Sequence, residues 1–588
     1  MHDNILVSSA LNRLITITAF VSALVLCSCQ HPKLESPQAN TRRPNVLFIC
    51  VDDLKPVLGC YGDTKVKSPH LDRLATRGVL FERAFCNQAV CAPSRNALMT
   101  GLRSTTLGIY DLGTNFRLAA PNTVTMAQYF KQHGWRTEAM GKIFHVGHGN
   151  HEDALSWSVP HWTPKLNGLG GGYVLKENRP PGPTREEAFF SNAPADVSKL
   201  PRGAVTEAAD VPDNAYSDGM IAVEAIRRLQ AAKQNPNTPF FLAVGFHKPH
   251  LPFVAPKKYW DLYDRASFEL PKLQKPPEGA PAFAPTTWGE LRQYRDMPEV
   301  GPLTTETARE LIHGYHAATS YMDAQLGRVI GELDKLELAQ DTIIVVWGDH
   351  GWHLGDHGMW CKHSNYEQAT RIPLLVIKPG VAKAGGRSKA LVETVDLYPT
   401  LCELAGLPVP QELDGASFVS ALRHPATAAT KDAVFHVYPR SPRGMGELIG
   451  RAVRTERYRL VEWKKAGAPA DTAILELYDY KTDPDETKNL AADKPHIVAQ
   501  LRAMLAKQPE AKPQLRTTTP AQRQDRATMF AGRDKNGDGV LTREEFLADQ
   551  PDPDKAPARF ILLDANKDGV LSREEFILMG GQAKPTAK

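Results

Sequence analysis

Asn45-Val46-Leu47-Phe48-Ile49-Cys50-Val51 is a continuous apolar run, and it ends abruptly in Asp52-Asp53. A segment that is apolar at successive positions, not at alternate ones, is a strand buried on both faces, as in parallel sheets covered by helices. Two more runs follow the same plan. Phe240 to Gly245 ends in Phe246-His247-Lys248-Pro249-His250, and Thr342 to Trp347 ends in Gly348-Asp349-His350-Gly351. Just before the third run, Met322, Leu326, Val329, Ile330 and Leu333 share one face of a predicted helix. Strands alternating with helices predict an α/β fold with a mostly parallel sheet. Ligands of such sheets gather beyond the carboxyl ends of the strands, so Asp52, Asp53, His247, Asp349 and His350 are expected to meet in one site.

Residues 44–440 are read as one catalytic domain. Two stretches in it, about Gly149 to Pro212 and Pro252 to Pro302, are long excursions without periodicity, and loops of that length commonly shape a substrate site. Beyond residue 440 the pattern changes. Ala452 to Trp463 alternates as a half-buried strand does, and Glu476-Leu477-Tyr478-Asp479 leads to Asp483-Pro484 and then a helix to about Ala506. Residues 441–508 are therefore read as a smaller α+β subdomain and 509–524, polar and proline-containing, as a linker.

Residues 525–580 differ again. Asp534, Asn536, Asp538, Val540 and Glu545 stand at positions one, three, five, seven and twelve of a loop whose sixth residue is Gly539; Asp564, Asn566, Asp568, Val570 and Glu575 repeat this around Gly569. Oxygen side chains at these places, a backbone carbonyl at seven and a closing glutamate make a calcium-binding EF-hand loop. Two loops predict an all-α pair holding two calcium ions.

The net charge of +4 gives no support to nucleic-acid binding, which shows strongly basic patches. Residues 1–29 carry Arg13 ahead of the apolar run Leu14 to Leu26, too short to span a bilayer and typical of an export signal. Leu26-Cys27-Ser28-Cys29 resembles a bacterial lipobox, so a lipid anchor on Cys29 and simple secretion are both open, with residues 30–43 as a tether. The expected location is exported: periplasmic, outer-membrane lipoprotein or extracellular. Eight cysteines in 588 residues are no disulfide scaffold.

Cys91-Ala92-Pro93-Ser94-Arg95, followed by the helix-like Asn96 to Gly101, resembles the signature of type I sulfatases of the alkaline phosphatase superfamily. In that family the cysteine is oxidised after translation to formylglycine, whose hydrate attacks sulfur, so a maturing enzyme is an implied partner. The likeness covers Pro44 to about Ala506. Gly141-Lys142-Ile143-Phe144-His145, Gly245 to His250 and Trp352 to Gly358 with Trp360-Cys361-Lys362 are most similar to the iduronate-2-sulfatase branch. The resemblance implies an alkaline-phosphatase-like fold and one calcium ion held by Asp52, Asp53, Asp349, His350 and an oxygen of modified Cys91. It further implies Arg95, Lys142 and Lys362 as cations around the sulfuryl group. His247 is expected to protonate the departing sugar oxygen and His145 to serve as base. His250, His353, His357 and His363 lie nearby without assigned roles.

The expected activity is hydrolysis of a sulfate ester on a sulfated carbohydrate. Two alternatives stay open: a phosphonate or phosphodiester hydrolase of the same fold, and a non-catalytic, calcium-dependent glycan-binding protein.

Overall fold

A computed structural model describes residues 43–164, 172–178, 192, 200–516, 526–548, 556–564 and 566–578. The expected signal, and the tether apart from Arg43, lie outside the described residues. Arg43 lies over the Trp135 ring at 5.2 Å and donates to the His133 carbonyl.

The central sheet has seven strands in the order Gly386–Ser388, Val79–Phe81, Leu374–Ile377, Thr342–Gly348, Asn45–Val51, Phe240–Phe246 and Arg136–Gly141. The three expected strands lie side by side and parallel, with Asn45–Val51 in the middle. Leu374–Ile377 alone among the seven runs against both its neighbours, so the sheet is mostly parallel as expected.

The double burial of these strands has a direct structural meaning. Val46, Phe48 and Cys50, with Ile343, Val345 and Trp347, face a core that includes Leu98, Met126, Phe130 and Leu401. Leu47, Ile49 and Val51, with Ile344 and Val346, face the opposite core of Leu71, Ile221, Leu229 and Leu326. The helix Thr305–Lys335 lays Met322, Leu326, Val329, Ile330 and Leu333 onto this second face. Each such side chain stabilises by roughly 1.5–3 kcal/mol on full burial. A charge at Leu326 would remove the helix from its seat.

The smaller unit is a four-stranded antiparallel sheet, Ala433–Arg440, Leu448–Thr455, Tyr458–Lys464 and Ile474–Asp479, covered by the helix Pro495–Leu505. Its first strand ends at Arg440, so the subdomain begins earlier than the expected boundary after residue 440. The expected linker also needs correcting. Residues 509–516 are laid onto the catalytic unit: Lys512 N donates to Thr105 O at 3.1 Å, Leu515 N to Gly108 O at 2.6 Å, and the Gln514 amide spans Tyr110 and Asp111. Composition alone could not reveal this, because the partners lie far upstream.

The EF-hand segment forms helices Arg526–Arg533, Arg543–Ala548, Ala556–Leu563 and Arg573–Leu578 around Phe530, Phe546, Phe560 and Phe576. A short antiparallel ladder, Val540–Thr542 against Val570–Ser572, joins its two loops. The six described cysteines, Cys50, Cys60, Cys86, Cys91, Cys361 and Cys402, are free. Among the described residues no helix is long and apolar enough to cross a membrane.

Candidate active site

Strand register decides where the site forms. Val51 is paired with Phe246 on one side and Gly348 on the other, so Asp52, His247 and Asp349 leave the sheet at the same level. Asp53 follows in the left-handed region at φ 60°, a conformation that costs a non-glycine residue on the order of 1–3 kcal/mol. Two bonds hold it there. Its N–H donates to Asp349 Oδ1 at 2.9 Å, and its carbonyl accepts from the Tyr315 hydroxyl at 2.8 Å.

The helix Cys91–Thr100 is buried at all ten positions and starts at the site. Arg95, one turn after Cys91, lies on the same face. Its guanidinium donates to Asp52 Oδ1 at 2.8 Å, to Asp349 Oδ2 at 3.1 Å and to the carbonyls of Lys142 and Ile143. Ser94 Oγ donates to the Asp349 carbonyl at 2.5 Å, locking the helix to the third strand. Lys142 pairs with Asp52 and stands 3.6 Å from Cys91 Sγ, while Lys362 Nζ meets both oxygens of Asp53 at 3.2 and 3.1 Å.

Asp52, Asp53, Cys91, Asp349 and His350 each bring a ligand atom within 4.8 Å of the others, all buried. Three hard carboxylate donors fit calcium or magnesium. Electrostatics favour a cation too. Burial would raise the Asp52 carboxyl, but Lys142 and Arg95 outweigh it and hold Asp52 well below the carboxylate range. Asp349 is instead pushed up, by burial and by the charge of Asp52, despite His350 and Arg95. Asp349 is thus the carboxylate that its surroundings compensate least, which a divalent ion would relieve.

A cavity of about 240 Å³ opens beside Cys91, lined also by His145, His148, His250, Glu290, Lys362 and His363. Burial pushes the Cys91 thiol well above its usual range, and Asp52 adds to this. A thiol catalyst needs the opposite shift. Burial, then Lys142, holds His145 well below the usual histidine range. For His250 burial acts in the same direction, but the Asp53 carboxylate outweighs it and the imidazole is raised.

His247 departs from its expected place. It does not line this cavity; its ring is about one-third exposed and lies 3.7 Å from Asp218. The cause is local: the N–H groups of His247 and Lys248 donate to Asp218 Oδ1 and Oδ2 at 2.9 and 3.0 Å, which turns the chain. His250, three residues on, then reaches the site, with Nε2 3.8 Å from Asp53 and 3.1 Å from Glu290. Glu290, which also meets Lys362 at 2.7 Å, comes from the second long excursion. Its one cue in the sequence was membership of that excursion. His353 and His357 point elsewhere, bonded to Ser364 Oγ and the Asp485 carbonyl.

In the EF-hand segment Gly539 and Gly569 occupy the sixth position at φ 83° and 88°, as the loop requires. Asp534 accepts from the N–H groups of Gly537 and Gly539, and Glu545 closes the first loop on Thr542 at 3.0 Å. In the second loop Asp564 accepts from Gly569, Asn566 caps Asp568, and Glu575 closes on Ser572 at 3.0 Å.

A mostly parallel sheet with an acidic cation cluster, three buried cations and a helix-borne residue at its carboxyl edge defines a hydrolase centre of the alkaline-phosphatase-like type. The sulfatase model matches residues 44–407, the model for the C-terminal part of N-sulphoglucosamine sulphohydrolase residues 355–512, and the EF-hand model residues 534–548 and 558–579. Iduronate 2-sulfatase of Mus musculus is 34% identical over 523 residues, covering 77% of this chain and 91% of the mouse protein. Among solved structures, an enzyme in complex with its substrate D-glucosamine-2-N,6-O-disulfate superposes with a TM-score of 0.61 at 23% identity, over 79% of this chain and 97% of that one. A phosphonate monoester hydrolase from Silicibacter pomeroyi matches equally, with a TM-score of 0.61 at 23% identity over 79% and 94%. Those two likenesses show the fold. The chain belongs to the sulfatase family and is a sulfuric ester hydrolase.

Proposed function

We infer that this is an exported sulfatase with iduronate-2-sulfatase-like specificity, removing a sulfate ester from a uronic acid of a sulfated polysaccharide or its oligosaccharides. The observation that carries the reading is the convergence of Cys91, Lys362, His145 and His250 on one cavity, with the acidic cluster, Arg95 and Lys142 packed beside Cys91. The 34% identity to mouse iduronate 2-sulfatase supports the sugar class.

Asp52, Asp53, Asp349 and His350 would hold calcium, which supplies charge neutralisation and a template for the sulfate oxygens, while formylglycine made from Cys91 supplies the oxygen nucleophile. The buried cations do the rest of the electrostatic work. Lys142 and Lys362 flank the sulfuryl position, and Arg95 fixes the carboxylates that orient the ion; such preorganised charge is usually the largest catalytic contribution. His250, which lines the cavity with its Nε2 held 3.1 Å from Glu290, is suited to give its Nε2 proton to the departing sugar oxygen. His145, kept neutral by burial, is suited to take a proton when sulfate is expelled. The leaving-group role expected for His247 thus passes to His250.

Maturation requires a formylglycine-generating or sulfatase-maturing enzyme in the host. Calcium in the two EF-hand loops and an exported location, with or without lipid on Cys29, complete the reading. The test is sulfate release by the matured enzyme from defined 2-O-sulfated uronides, with Cys91→Ala beside it. Release should disappear in the variant; retention of most of it would refute the mechanism. Parallel phosphate monoester and phosphonate forms of one leaving group test the alternative raised by the Silicibacter neighbour.

A further inference from the structure

Glu290 is an unexpected wall for a site that takes an anion. The cavity beside Cys91 is otherwise lined by cationic or neutral groups, among them Lys362, His145, His250 and His363. A carboxylate repels the sulfate ester that the cavity must admit. Nor is it needed to neutralise Lys362, whose ammonium already meets both oxygens of Asp53 at 3.2 and 3.1 Å.

Its two oxygens do different things. Oε1 bridges Lys362 Nζ at 2.7 Å and His250 Nε2 at 3.1 Å, so the carboxylate is fixed by a cation and an imidazole that line the same cavity. Oε2 is buried with no hydrogen-bond partner, and the His363 ring, kept neutral by burial, comes no nearer than 4.0 Å through Nε2. A buried acceptor left unsatisfied costs on the order of 1–3 kcal/mol, which a ligand donor would recover. Three contacts link it to the nucleophile: Glu290 meets Lys362, Lys362 meets Asp53, and Asp53 Oδ1 lies 3.9 Å from Cys91 Sγ.

We propose that Glu290 is a specificity-determining residue, accepting a hydrogen bond from a free hydroxyl on the carbon next to the sulfated one and excluding an anion there. This rests on the sulfatase reading of the same cavity and narrows its substrate class. The enzyme takes sugars that are monosulfated on a vicinal diol and rejects those sulfated on both carbons. A site built to hydrogen-bond a hydroxyl discriminates steeply against the analogue without it, because its own polar group is then stranded.

The test uses three 2-O-sulfated uronides differing only at carbon 3: hydroxyl, deoxy and O-sulfate. For the matured enzyme kcat/KM should favour the hydroxyl compound by about 10²-fold or more over either of the others. Because Glu290 also touches Lys362 and His250, its variants are judged by the ratio between substrates, which cancels any common loss. In Glu290→Ala the hydroxyl-to-deoxy ratio should fall to about threefold or less, and the O-sulfate should gain on the deoxy compound as the repulsion goes; Glu290→Gln should relieve the repulsion while keeping part of the hydroxyl preference. Binding of the three intact esters to Cys91→Ala, measured by calorimetry, should show the same order without any turnover. If the wild type treats hydroxyl and deoxy compounds alike, or if Glu290→Ala keeps the wild-type ratio, the proposal fails while the sulfatase reading stands. Sulfate release by Cys91→Ala would sink that reading and leave the binding ratios intact. Should Glu290→Ala not fold, the wild-type series and the Cys91→Ala binding order decide the matter.

Discussion

Replacing Arg95 by alanine removes the one side chain that touches two of the buried cluster carboxylates and two carbonyls at once. Asp52 keeps Lys142, but Asp349 is left with His350 and the N–H groups of Asp53 and His350. Breaking a buried ion pair from one side costs about 3–5 kcal/mol, since the stranded charge loses its counter-charge without regaining water. Unfolding entropy of about 2.1 cal/mol/K per residue gives ~1 kcal/mol/K for the roughly 470 residues from Pro44 to Arg516, so the thermal midpoint should drop by about 3–5 °C in chelator. In the proposed site calcium would neutralise the same carboxylates as Arg95. Added calcium should therefore raise the variant's midpoint more than the wild type's, on top of the about 2.7 kcal/mol that a ligand at a hundredfold its Kd supplies to either. Differential scanning calorimetry in EGTA and in calcium reads both quantities. A drop of less than about 1 °C in EGTA, or equal calcium shifts in the two proteins, would refute the view of Arg95 as the buried counter-ion of a cation site.

Three other outcomes are expected. Glu545→Gln with Glu575→Gln should lower bound calcium from three ions per chain to about one by equilibrium dialysis, while sulfate release from a small substrate changes less than about twofold. A chain stopped after Arg516 should retain turnover, whereas one stopped after Gln508 should raise KM several-fold, because the bonds from Lys512, Gln514 and Leu515 secure residues 105–111 next to Leu112 in the cavity wall. Burial would raise the Glu393 carboxyl, but Arg103 and Lys431 bring it down from 4.5 to about 2. Its stabilisation is therefore complete above about pH 4.5 and lost as the pH falls towards 2, on the order of 3 kcal/mol. Unfolding midpoints of Glu393→Gln should accordingly fall less steeply than the wild type's across that window.

The strands were legible because burial on both faces leaves an unbroken apolar signature, which Asn45–Val51, Phe240–Phe246 and Thr342–Gly348 all carry. Their adjacency followed from strand-end logic, and register Val51↔Phe246 and Val51↔Gly348 brings Asp52 and Asp349 together as that logic requires. Reversal of Leu374–Ile377 was not legible, since a four-residue apolar strand reads the same in either direction. The docked stretch 509–516 was hidden for another reason: backbone N–H and C=O groups make many of its bonds, and these carry no residue-type signal.

The different places of the His247 and His250 rings show where strand-end reasoning stops. Parallel register fixes the first residue beyond a strand to within one position, and both Asp52 and Asp349 obey it. It says nothing of the third or fourth residue, whose place depends on how the chain turns. Here Asp218, on the helix Ser217–Lys233, accepts the two N–H groups that follow the strand, and Lys248 Nζ ties the carbonyls of His250 and Pro252 at 2.8 and 2.7 Å. The ring of His250 is thereby oriented by a buried carboxylate and a buried ammonium that never touch the substrate cavity. Loss of Asp218 should then act through His250: in Asp218→Asn, kcat should fall while KM for a sulfated uronide stays within about twofold. Substrates with an acidic leaving group, which need little proton donation, should recover most of the lost rate. An equal loss on acidic and sugar leaving groups would mean that Asp218 supports the fold alone and that His250 is not the proton donor.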